Sequence, residues 1–133
     1  MPTLFTKIIN REIPSSILYE DSLCIAILDI NPVNKGHALV ISKEEYPTTL
    51  QCPDEVLSHL IGISKRFDKL MRENLKAEAT NIIINNGPAA GQEIAHLHIH
   101  IIPRYEGDRK KMILNKERYN NNEMDEFTRL LSL

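Results

Sequence analysis

Seven residues, His96-Leu97-His98-Ile99-His100-Ile101-Ile102, constrain this chain more than any other stretch. They place three histidines at every second position, separated by aliphatic residues and closed by Pro103. A β-strand sends side chains i, i+2 and i+4 to one face, so the three imidazoles would share one face and Leu97, Ile99 and Ile101 the other. A helix, with its period of about 3.6 residues, would scatter the same rings around its circumference. The motif therefore demands a strand with an apolar back and a front lined by titratable rings.

Three readings of that front compete. A metal ion could be shared by two neighbouring histidines. One ion held by all three is harder, because His96 and His100 would stand roughly 13 Å apart at about 3.3 Å per residue, against zinc–nitrogen bonds of about 2 Å. The chain also lacks an HExxH motif and any cysteine cluster to complete a ligand set. A solvated strand face explains one histidine well and three in strict alternation poorly. The third reading is nucleophilic catalysis: imidazole, with an ordinary pKa of about 6.5, is largely free to attack at neutral pH. A nucleophile needs a neighbour to fix its tautomer and another to handle protons, which is what further imidazoles supply. Phosphorus is the electrophile best suited to such a cluster beside backbone N–H groups. The segment 85–92, with Gly87 and Gly91, can contribute such amides; it is no P-loop, since no Lys-Ser/Thr pair and no helix follow.

The rest of the chain is consistent with one domain over residues 1–133. Hydrophobic residues make up 42% and charged residues 26%, and the net charge of −2 argues against a general nucleic-acid-binding coat. Cys24 and Cys52 form no CxxC pair, so Cys24 reads as a buried thiol and no disulfide framework is expected. Neither a signal-peptide core nor an apolar run of roughly 18 residues is present, which points to a cytoplasmic protein without a membrane partner.

In order, residues 4–10 read as a short helix, and 17–19, 23–30 and 37–42 as strands, the last two joined as an antiparallel hairpin. Pro53, Asp54 and Glu55 open a long helix with an apolar stripe through Val56, Leu60, Ile63, Phe67, Leu70 and Met71. Gly62 within it would mark a close approach of helix to sheet, and His59 is an ordinary boundary histidine. Residues 82–84 and 94–104 complete the strands, and Asn120 with Glu123 resembles a capping box for a last short helix. The basic cluster Arg109, Lys110 and Lys111 reads as a solvated face. The fold class is α+β: an antiparallel sheet of about five strands with one long helix packed on it and short terminal helices.

The heptad resembles the His-φ-His-φ-His-φ-φ signature of the histidine triad (HIT) superfamily, and other motifs resemble it in order and spacing. These are Glu12-Ile13-Pro14, Tyr19-Glu20-Asp21, Leu28-Asp29-Ile30-Asn31-Pro32, Gly36-His37-Ala38-Leu39-Val40-Ile41, Asn85-Asn86-Gly87 and Ala90-Gly91-Gln92. Coverage runs over residues 3–107, leaving a tail at 108–133, and the short chain looks most like the Hint branch. The resemblance implies a homodimeric, metal-independent nucleotide hydrolase or transferase working at the α-phosphate of purine nucleotides, AMP or GMP conjugates, without a cofactor. His98 would attack phosphorus and carry a nucleotidyl group, and the carbonyl of His96 would hold its Nδ1–H. His100 would contact the phosphate and assist the leaving group, with His37 as a fourth histidine of the site. Asn85 and Gln92 would lie around the phosphate and Asp29 at the ribose hydroxyls, while Leu4, Phe5, Ile8, Ile27 and Ile30 would wall the base. The reaction implied is that of an adenosine 5′-monophosphoramidase. Dinucleoside polyphosphate hydrolysis, or a nucleotide-binding interaction protein with incidental turnover, are the alternatives. Some members hold a structural zinc on a CxxC and further histidines; this chain has Thr3, Thr6 and a residue near Glu45 there, so no such zinc is expected. Where Hint proteins often carry a small hydroxyl residue after Gly-Gln, this chain has Glu93, and it has no tryptophan for a C-terminal contact with the substrate.

Overall fold

In the computed structural model, which describes residues 2–133, the alternating heptad enters a strand only at its second histidine. Five strands are present: β1 (Ile17–Glu20), β2 (Cys24–Leu28), β3 (Ala38–Ser42), β4 (Ala79–Ile83) and β5 (His98–Arg104). They form one antiparallel sheet in the order β1-β2-β3-β5-β4. The β2–β3 hairpin forms as its short connection requires, with Ala26 opposite Val40. Three α-helices among the described residues accompany the sheet: α1 (Leu4–Ile9), α2 (Asp54–Asn74) and α3 (Glu123–Leu131).

Period two divides the central strands between two cores. Cys24, Ala26, Val40, Ile99 and Ile101 face Leu60, Ile63, Phe67 and Met71 of α2, which crosses β5 and β3. Ile25, Ile27, Leu39 and Ile41 face the other way and pack beneath Phe5 and Ile8 of α1. The nearly continuous apolar run of β2 is thus explained by cover on both faces. On the α1 face, His98 and His100 of β5 stand opposite Ile41 and Leu39 of β3. Register alone therefore sets two imidazoles beside the floor of the smaller core. Cys24 is fully buried, and burial pushes its thiol up to about 12.

Several local expectations change. His96 precedes β5 rather than lying in it. The fourth strand begins at Ala79, three residues before the isoleucine run. Pro53 is the residue before α2 and not its first helical position. Gly62 faces open space, with nothing within 4 Å of where a Cβ would stand, so it marks no close approach to the sheet. Leu70 of the α2 stripe is exposed, as is Ile61 on the same helix. His59 does more than sit at a boundary: its Nε2 lies 2.6 Å from Asp21 Oδ2 and ties the β1–β2 turn to α2. At α3 the backbone N–H of Asn120 donates to Glu123 (2.6 Å), while Asn122, the residue that caps the helix, makes no side-chain bond. No helix among the described residues is long and apolar enough to cross a membrane.

Candidate active site

Hydrogen bonds to one nitrogen of each ring determine what the other nitrogen can do. His98 Nδ1 is 2.7 Å from the carbonyl oxygen of His96, an acceptor only, so Nδ1 carries the proton and Nε2 keeps its lone pair. The carbonyl of Ser42 lies 2.7 Å from His96 Nε2, which places that ring's proton on Nε2. His96 Nδ1 then accepts from the hydroxyl of Thr3 at 2.7 Å. His37 is the reverse case: the backbone N–H of Val33 donates to its Nδ1 (3.1 Å), so its proton resides on Nε2 and is donated to His100 Nδ1 at 3.0 Å. His100 is left with an Nε2–H donor. The assignment closes without a conflict: one nucleophilic nitrogen at His98, and one free donor at His100.

Burial keeps these rings neutral. His100 is lowered to about 4, first by burial and then by the positive charge that His98 and His37 would carry. Burial also lowers His98, against the His96 carbonyl, and lowers His37, against the carboxylate of Asp29. Burial likewise lowers His96, opposed by the Ser42 carbonyl and by Glu45. Asp29 Oδ2 lies 3.7 Å from His37 Nε2, and its Oδ1 accepts from the Asn31 N–H at 2.8 Å.

His98 and His100 border a cavity of about 620 Å³, within the range of about 300–1,000 Å³ usual for small-molecule sites. Leu4, Phe5, Ile8 and Ile27 form its apolar end, and Asp29, Asn85 and Glu93 are polar groups on its wall. The ring of Phe5 meets His98 edge-on with centroids 4.9 Å apart, and His96 at 5.7 Å. Leu4 and Ile30 line the cavity while remaining largely exposed, Ile30 at 87%. His37 and His96 stand behind the lining, reaching it through His100 and His98. Gln92 is placed otherwise: its Oε1 accepts from the Gly87 N–H (2.7 Å) and its Nε2 donates to the Pro47 carbonyl (2.6 Å). It pins the loop and does not line the cavity. Gly87 and Gly91 in that loop hold φ near +99° and +97°, which side-chain-bearing residues rarely adopt.

Sequence reasoning passed over Ile13, Pro14, Leu39 and Ile94 of the lining, and the partners Thr3 and Val33. Leu39 was readable from register with the triad strand; a backbone N–H such as that of Val33 leaves no residue-type signal.

Two groups of described residues approach closely enough to share a metal ion. In Asp29, His37 and His100, the Val33 N–H holds the His37 proton on Nε2, the atom a metal would need. In Asp21, Cys24 and His59, the Asp21 oxygens already accept from Leu23, Cys24, Tyr19 and His59. At the positions where the resemblance would put zinc ligands, Thr3 donates to His96 and Thr6 donates to Glu45. Two hydroxyls and an imidazole with both nitrogens engaged do not fit zinc, which takes thiolate, free imidazole and carboxylate donors.

Comparison with known proteins gives the family. An uncharacterized HIT-like protein of Methanocaldococcus jannaschii is 50% identical over 106 residues, 79% of this chain and 81% of that protein. Arabidopsis thaliana adenylylsulfatase HINT3 is 43% identical over 105 residues, 79% of this chain and 53% of its own length. Saccharomyces cerevisiae adenosine 5′-monophosphoramidase HNT1 is 43% identical over 101 residues, 76% of this chain and 61% of its own. The crystal structure of a HIT family member from Bacillus subtilis superposes with a TM-score of 0.88 at 31% identity, covering 99% of this chain and 96% of that one. The HIT domain model itself matches residues 10–107, and the chain belongs to the HIT family.

Proposed function

We propose that this protein cleaves nucleotide conjugates at the α-phosphate through a nucleotidyl-His98 intermediate, with adenosine 5′-monophosphoramidates as its substrate type. One observation carries the reading: the His96 carbonyl holds the proton of His98 on Nδ1, so Nε2 is an unprotonated nucleophile beside the cavity. The purine lies against Leu4, Phe5, Ile8 and Ile27, and Asp29 accepts from the ribose hydroxyls. His98 Nε2 attacks phosphorus, the P–N bond to the amine breaks, and the departing nitrogen takes a proton from solvent to leave as the free amine. His100 Nε2–H donates to a phosphoryl oxygen or to the departing nitrogen, and His37 supports it from behind. Water then attacks the nucleotidyl imidazolium, releasing the nucleoside monophosphate and restoring His98. Relatives named as an adenosine 5′-monophosphoramidase and an adenylylsulfatase support this reading.

Turnover of adenosine 5′-monophosphoramidate tests this. The wild type is expected to release AMP at an unchanged rate in excess EDTA. His98→Ala should lose turnover by at least about a thousandfold while still binding AMP. A His98→Ala rate within about tenfold of wild type removes the nucleophile assignment.

A further inference from the structure

The cavity wall includes two carboxylates, Asp29 and Glu93, and no lysine or arginine. The imidazoles on its wall do not compensate, because burial keeps them neutral. This is an unusual electrostatic setting for a site that receives a nucleotide, whose phosphate is itself an anion. Asp29 has a role within the site, bonded to the Asn31 N–H and facing His37. Glu93 has none: among the described residues it makes no hydrogen bond and no ion pair, and it stands exposed at the wall of the cavity. Its negative charge nevertheless reaches His98, where it opposes the effect of burial.

The backbone holds Glu93 in place. Gly91 turns the chain through φ near +97°, and the next residue, Gln92, is clamped to Gly87 and Pro47. The carboxylate that follows is therefore presented to the cavity from a fixed loop. Glu93 lines the same cavity as His98, so a group that departs from a phosphorus held at His98 leaves beside this carboxylate.

We propose that Glu93 selects the leaving group by charge, favouring amines that carry a second, cationic group over neutral and anionic leaving groups. This rests on the α-phosphate reading above and narrows it to a substrate class. The cationic end completes the charge balance of a cavity that otherwise holds two carboxylates and a phosphate. An expelled anion, such as sulfate or phosphate, meets the same carboxylate as repulsion. Because Glu93 is solvent-exposed, the preference is modest and weakens as salt screens it.

Three AMP amides of matched length test it: those of 1,3-diaminopropane (cationic), n-butylamine (neutral) and 4-aminobutanoate (anionic). Each is assayed for kcat/KM at low ionic strength with wild type and Glu93→Gln. The cation-to-neutral ratio of the wild type, divided by that of Glu93→Gln, cancels differences in amine basicity and isolates the carboxylate. It is expected to be about tenfold, or ~1.4 kcal/mol, to shrink in high salt, and to invert in Glu93→Lys. A quotient near one, with all three amides turned over, overturns the assignment of Glu93 and leaves the reaction standing. Failure of the wild type on all three overturns the reaction, and this inference with it.

Discussion

At the scale of residues, the site is built from tautomers. Each ring has at least one nitrogen committed to a fixed partner, and three of those partners are backbone groups: the carbonyls of His96 and Ser42 and the N–H of Val33. Neutrality is the condition for this arrangement, and it has a consequence for pH. In the unfolded chain the histidines titrate near 6.5, whereas in the fold burial lowers all four, His100 to about 4. Below 6.5 the unfolded state therefore binds more protons than the folded one, and stability falls as pH falls. Stability is complete above 6.5 and is lost progressively toward about 4, where His100 charges in the fold as well. Urea unfolding at about pH 7 and about pH 5 should differ by about 1–3 kcal/mol in favour of the higher pH. Equal stabilities would mean that the rings are not held neutral.

At the scale of elements, the six-residue α1 is too short to persist alone and is held by what it touches. Phe5 and Ile8 fill the smaller core, and Thr3 with Thr6 forms a reciprocal capping box at its start. The same Thr3 hydroxyl bonds His96 Nδ1, so the cap of the helix that walls the cavity is also the partner of the triad's first ring. Thr3→Val keeps the shape and removes the hydroxyl, leaving a buried acceptor on His96 and one helix donor without partners. It should lower kcat by about tenfold with a smaller change in KM, and Thr3→Ser should restore kcat. A Thr3→Val enzyme with wild-type kcat would reduce Thr3 to a helix cap.

The elements also show what the sequence could and could not convey. The long helix, the β2–β3 hairpin and the shared face of His98 and His100 followed from periodicity, because burial imposes it. His96 did not: alternation continues through it, but the chain leaves the sheet before His98, and its ring goes to Ser42 and Thr3 instead. Gln92 was expected around the phosphate by resemblance, and its hydrogen bond to Pro47, forty-five residues earlier, adds a loop clamp that only three-dimensional proximity reveals. Gly62 carried no packing information at all.

At the scale of the whole molecule, the sheet separates support from chemistry. One face is covered by α2 with Leu60, Phe67 and Met71, and Ile99 and Ile101 of β5 are locked into that core. The other face carries α1, the cavity and the imidazoles of the alternate residues. A strand with a rigid back holds the imidazoles on its front in position, and the geometry of the proposed nucleophile follows from that arrangement. The central claim is that this front delivers His98 Nε2 to phosphorus, and the covalent product is the direct evidence. Wild-type protein, mixed with excess adenosine 5′-monophosphoramidate and quenched in alkali within a single turnover, should gain the mass of one adenylyl group, AMP less one water. Peptide mapping should place that adduct on His98 as an alkali-stable, acid-labile phosphoramidate. AMP release with no adduct at any quench time, or an adduct on another residue, would contradict the account.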